Sequence, residues 1–181
     1  MKEIIKRSQI RLNTEKKQLK SELIQYLTNC SYHKDSRDIQ IIDLKYITDL
    51  DKVYAGSGFY IILCNKDIDQ NLCSLVIDKY KAIYRGHSFF TRKRLKSHLF
   101  NTAYKAERKD NEPNYKVCLK FEDKTEGINI DSEPYSAMYW KVIIHKMNKS
   151  NQLIREQMEL AFDEVYGRPI KSREIINYQK T

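Results

Sequence analysis

The chain has 181 residues, 41% of them apolar and 31% charged, and 33 Lys and Arg against 24 Asp and Glu leave a net charge of +9. That composition suits a folded, very soluble domain, and no apolar run approaches the ~18 residues a membrane-spanning helix needs. The cation excess favours a polyanion partner, nucleic acid first, because phosphate contacts and released counterions would supply the binding energy.

The opening MKEIIKRSQI is charged within its first seven residues and lacks the apolar core of a secretion signal, so a cytoplasmic protein without a membrane partner is expected. Residues 1–28 read as a lysine-rich helix with Leu12, Leu19, Leu23 and Leu27 at near-helical spacing. This helix either packs on the core or serves DNA or a second copy of the chain. Cys30, Cys64, Cys73 and Cys118 form no C-x-x-C pair and read as reduced thiols rather than a zinc site. IQIIDL, at 39–44, predicts a short strand. AGSG, at 55–58, is a loop, and FYIILC, at 59–64, a buried strand. LCSLVID (72–78) and KAIYRG (81–86) are two further strands, with Gly86 placed to end the second through a positive φ.

Residues 89–108 return to helical period through Leu95, Leu99, Ala103 and Ala106. KVCLKFED (116–123) reads as a strand, 125–134 as a polar loop, and YWKVIIHKM (139–147) as a strong strand. Ser150 or Asn151 caps an amphipathic helix over 152–166, which carries Ile154, Met158, Ala161, Phe162 and Val165 on one stripe and closes at Gly167 before Pro169. The result is an α/β or α+β fold with a small mixed or antiparallel sheet flanked by helices. Residues 1–50 form an N-terminal helical extension for DNA binding or dimerisation. Residues 51–181 form the main domain, with an insertion around 101–138.

Three features converge. Gly58-Phe59-Tyr60 opens one strand and Tyr84-Arg85-Gly86 closes another, so pairing brings two phenols onto one face beside a residue without a Cβ. Arg94 and His98 stand at i and i+4, one turn apart on one helix face, where a guanidinium can fork a phosphate. The last helix carries Glu156, Glu159, Asp163 and Glu164. One of these, facing the site, would give a hard oxygen ligand to a cation such as Mg²⁺, which needs only one or two carboxylates. Together they make a kit for phosphodiester hydrolysis: a proton acceptor, a phosphate clamp and a metal anchor.

These residues resemble the GIY-YIG nuclease superfamily: GFY at 58–60, YRG at 84–86, Ser88 two positions past the second glycine, then Arg94, His98 and a glutamate on a later helix. The resemblance spans residues 55 to about 170. It implies a small nuclease with a three-stranded core sheet, one divalent ion (Mg²⁺ or Mn²⁺) and cleavage of double-stranded DNA. Tyr60 and Tyr84 would orient or deprotonate the attacking water, with Lys81 the alternative proton acceptor. Arg94 would hold the scissile phosphate and His98 would assist. The metal glutamate is Glu159, which borders the Met158/Phe162 stripe, or else Glu156. Arg85 stands where an aliphatic is usual and is expected to reach DNA, together with His87, Ser88, Arg92, Lys93 and Lys96. A compact basic chain with no separate DNA-binding domain looks most like a type II restriction endonuclease, acting as a homodimer to cut both strands. The alternative is a basic nucleic-acid-binding module without turnover, which has no need for all five of these site residues.

Overall fold

The computed structural model describes residues 1–109, 114–115, 119–121 and 127–172. The chain is α+β. Its elements are α1 (Lys2–Thr28), β1 (Ile39–Leu44), β2 (Gly58–Cys64), β3 (Val76–Ile77), β4 (Tyr80–Ser88), α2 (Thr91–Leu99), α3 (Asn101–Glu107), β5 (Trp140–Lys146) and α4 (Gln152–Tyr166). The strands form one curled antiparallel sheet in the order β1-β5-β2-β4-β3. This sheet is larger than the three-stranded core the resemblance implies, because β1 adds to β5 and β3 to the start of β4.

β2 is buried at every position because it is central and covered on both faces. Tyr60, Ile62 and Cys64 join Leu95, Leu99, Phe100 and Trp140 in one core. The alternate residues Phe59, Ile61 and Leu63 join Leu27, Met158 and Phe162 in another. The period-2 pleat therefore divides one apolar run between two cores, with α2 on the first face and α1 and α4 on the second.

Several expectations change. Of LCSLVID only Val76 and Ile77 are strand. The helix expected over 89–108 breaks at the buried Phe100, whose φ of −136° and ψ of 57° start a second helix. Of KVCLKFED, residues 119–121 form no strand and the others lie outside the described residues. Ile62 pairs with Tyr84 but Leu63 pairs with Ala82, so β4 bulges at Ile83 and turns both Ile83 and Tyr84 toward the first core.

At α4, the Asn151 side chain accepts the Ile154 N–H at 3.0 Å, and Gly167 closes the helix at a φ of 77°. α1 lies against α4 only over its last turns, through Leu23, Ile24 and Leu27, while Leu12 remains exposed. The end of α1 is tied to β5 by His145, whose Nδ1 lies 3.0 Å from the Tyr26 hydroxyl and whose Nε2 lies 3.1 Å from that of Tyr32. Among the described residues no helix is long and apolar enough to cross a membrane.

Candidate active site

The two tripeptides pair as their sequence suggests: Tyr60 faces Gly86 across the ladder and Tyr84 faces Ile62, so the phenols are diagonal neighbours on one face. Their rings stack with centroids 6.2 Å apart. Gly86 does not end β4 and has no positive φ, since the strand runs on to Ser88. Its role is space: a Cβ there would lie 2.7 Å from the Tyr60 hydroxyl and 2.9 Å from the Tyr84 ring. The glycine thus admits the chain's own phenol.

α2 follows through a short turn and lays Arg94 and His98 over this pair. The His98 ring is 4.6 Å from the Tyr84 ring, and its Nε2 is 3.0 Å from the Tyr60 hydroxyl. His98 does not reach the sheet edge as expected. It is wholly buried, as is Tyr60, because Leu95 and Leu99 pull that side of α2 into the core. Burial first, then the Arg94 charge, push the imidazole well below its usual range, so it is neutral. Its Nδ1 has no hydrogen-bond partner among the described residues.

Tyr84 and Arg94 are half-buried and form the open side of the cluster. Burial works to lower the Arg94 pKa, but the phenol oxygens of Tyr60 and Tyr84 beside it hold it above its ordinary value. The guanidinium donates to Ser97 Oγ at 3.3 Å and lies 4.7 Å from the Tyr115 ring. Burial raises both phenols, and the Arg94 charge only partly offsets this. Both are therefore neutral hydroxyls near pH 7, suited to orienting a water rather than acting as ready-made bases.

Glu159 lies on α4, on the other side of the sheet from the phenols, and is buried. Burial pushes its carboxyl up to about 7, against the pull of Arg85. Arg85 does not reach out to DNA: it is 3% exposed. It alternates to the α4 face, where Nη1 meets Glu159 Oε2 at 2.6 Å and Nε and Nη2 meet Asp163 at 3.0 and 2.6 Å. This buried guanidinium fixes α4 on β4 and sets the Glu159 rotamer. Glu156 is half-buried and accepts from Gln152 at 2.7 Å, one turn back along the same helix.

The other predicted contacts divide. Ser88 is buried, and its Oγ accepts the Phe90 N–H at 3.0 Å, which makes it a turn residue rather than a surface contact. His87 is half-buried, and burial plus the Arg155 charge push it down to about 4. Lys81 pairs with Cys64 at the opposite end of β4 from Ser88, across the bulge from Tyr84. Arg92, Lys93 and Lys96 are half-buried around the other side of α2, away from the phenols, and line a cleft. Sequence reasoning missed Ser97 and Tyr115, which support Arg94. Ser97 was legible as the i+3 neighbour of Arg94, whereas Tyr115 sits in a stretch without periodicity.

Comparison with family models, curated proteins and solved structures finds no match to this chain.

Proposed function

We propose that this chain is a divalent-metal-dependent deoxyribonuclease of the GIY-YIG kind, acting on double-stranded DNA as a site-specific type II restriction endonuclease and as a homodimer. One observation carries the reading. Tyr60 and Tyr84 stack beside Gly86, and the turn of α2 that carries Arg94 and His98 lies over them, with Arg94 half-open. Packing alone does not call for a half-open guanidinium beside two neutral phenols.

In this reading the half-buried pair meets the substrate. Arg94 holds the scissile phosphate and offsets the charge that grows on it. Tyr84 orients the attacking water through its hydroxyl. Tyr60 and His98 stand behind them as positioning residues, the imidazole fixing the Tyr60 hydroxyl at 3.0 Å. For a Mg²⁺ or Mn²⁺ ion the chain would offer the single carboxylate of Glu159, one oxygen of which is already on Arg85, so water and phosphate would have to supply the other ligands. Glu159 would hold the ion, which when bound supplies Lewis-acid polarisation of the phosphate. Arg85 already engages one Glu159 oxygen and keeps the carboxylate oriented.

The same contact favours a second reading. A carboxylate satisfied by a buried guanidinium suits a binding module without turnover. The two readings separate on unmethylated phage DNA incubated in Mg²⁺ with a chelator control. Discrete chelator-sensitive fragments establish the site-specific endonuclease. A smear keeps the nuclease and removes the restriction enzyme. Intact DNA with a salt-sensitive gel shift establishes the binding module.

A further inference from the structure

Beside the candidate site, α2 has a second polar face that the reaction does not use. Arg92, Lys93 and Lys96 line a cleft of about 470 Å³ together with the apolar Ile47, Leu50, Ala55 and Phe90, of which Ala55 and Phe90 are exposed. Arg92 is pre-ordered, because its Nε donates to the Val53 carbonyl at 2.8 Å. Two acids share the lining: Glu107, ion-paired with Lys96, and Asp51.

At the mouth, Phe89 and Phe90 are 58% and 46% exposed and meet edge to face at 5.2 Å. They occupy the turn between Ser88 and Thr91, at the start of the helix that carries Arg94. The Arg155 guanidinium lies 5.7 Å from the Phe89 ring. Two adjacent exposed phenylalanines are costly in water, and here Arg155 lies against Phe89 while Phe90 shares the cleft lining with Arg92, Lys93 and Lys96. An apolar slot with an aromatic wall suits the face of a heterocycle, a cationic rim suits its phosphate, and a carboxylate within suits an exocyclic amine.

We propose that this cleft binds a nucleobase of the DNA strand, stacked against Phe90 with its phosphate on the Arg92–Lys93–Lys96 rim, across α2 from the phosphate held by Arg94. The occupant follows from charge complementarity and from continuity, since one nine-residue helix presents Arg94 on one side and the rim on the other. The inference rests on the nucleic-acid reading above. It adds a place where sequence is read by a base leaving the stack, assisted by the Phe89–Phe90 wedge.

The test uses the full chain and double-stranded DNA of mixed sequence carrying 5-iodouracil, which crosslinks under light to aromatic rings it stacks on. The crosslinked peptide should contain Phe90. Phe90→Ala, at an exposed position, should abolish that crosslink and raise Kd roughly five- to tenfold at low salt. Ala55→Trp, which plugs the cleft from an exposed loop without changing charge, should do the same. If the wild type binds DNA but crosslinks elsewhere, and both variants bind as tightly as it does, the cleft proposal is overturned while the nuclease reading stands. If the wild type does not bind DNA at low salt, both fall.

Discussion

Two buried histidines, one on each side of the sheet, are each held by tyrosine. His145, on the α1 side, is 2% exposed, and tyrosine hydroxyls sit on both ring nitrogens at 3.0 and 3.1 Å. Burial alone pushes it down to about 3. His98, on the α2 side, is fully buried, has one nitrogen on Tyr60 and leaves Nδ1 without a partner among the described residues, next to Arg94. Its neighbours Tyr84 and Arg94 remain half-open. The first cluster is satisfied and closed to charge, as a structural tie should be. The second tolerates an unpaired polar atom and a desolvated cation, costs that a fold carries at a site. A tyrosine–histidine pair therefore means little until its remaining valences are counted.

The strongest way to break that contrast is Arg94→Ala. Loss of a transition-state charge partner should lower single-turnover cleavage roughly 10²–10³-fold. The guanidinium is half-open, so the urea unfolding midpoint should barely move. Cleavage at the wild-type rate would remove the reason for treating the two clusters differently. In the same assay His145→Ala, corrected for the folded fraction, should cut normally.

Stability should show the reverse order. His145→Ala strands two hydroxyls, one of them on the buried Tyr32, and should cost about 2–4 kcal/mol. His98→Ala takes one partner from the Tyr60 hydroxyl, which keeps Arg94 as a neighbour, and also removes an unsatisfied nitrogen, so its cost should be smaller. Urea denaturation at neutral pH checks the order, and a larger loss for His98→Ala would mean that its Nδ1 is satisfied after all.

How much of this could be read from the chain depends on which physical signal each residue left. β2, β5 and α1 were legible from their apolar patterns, and α4 from its apolar stripe together with its Asn151 and Gly167 caps. So was the Tyr60–Gly86–Tyr84 geometry, since register follows from two short motifs on paired strands. The bulge at Ile83 was not, because KAIYRG alternates no differently with it than without. Arg85 was misread for a related reason. Its neighbours in sequence suggested a basic edge, whereas strand parity sends it to α4, where Glu159 and Asp163, four apart on one helix face, wait for a cation. That pairing was available to a reading that asked which buried charge the two acids would need. The depth of His98 was hidden because the helix pattern shows which side is apolar but not how far the chain sinks into it.

Acid offers a finer test. Both histidines have folded-state values below the ordinary one, so the unfolded chain takes up protons first as pH falls. Their contribution is complete above about pH 6.5 and declines below it, by up to ~1.4 kcal/mol per pH unit for each histidine. For His145 the decline continues to about pH 3. His145→Phe should flatten the slope of unfolding free energy between pH 6.5 and 5. A slope identical to the wild type's would show that the imidazole is already protonated in the fold, and its tie to two hydroxyls would need a different account.

The smallest effects come from removing single hydroxyls. Tyr32→Phe deletes one of the two bonds to His145 and should cost about 1 kcal/mol of stability with no change in cleavage. Tyr84→Phe keeps the ring stacked on Tyr60 and packed against His98, so its stability should stay within ~0.5 kcal/mol of wild type. Cleavage should nonetheless fall by about 10²-fold or somewhat less, the lower range for a group that orients a proton transfer. The two substitutions remove the same atom from the same residue type, each beside a buried histidine, but the Tyr32 hydroxyl is bonded to its histidine whereas Tyr84 meets His98 by ring packing and faces the open side of the cluster. If Tyr84→Phe changes stability and not rate, its hydroxyl does on the α2 face what Tyr32 does on the α1 face. Arg94 would then be one more member of a structural cluster, and the binding-module reading would be the better one.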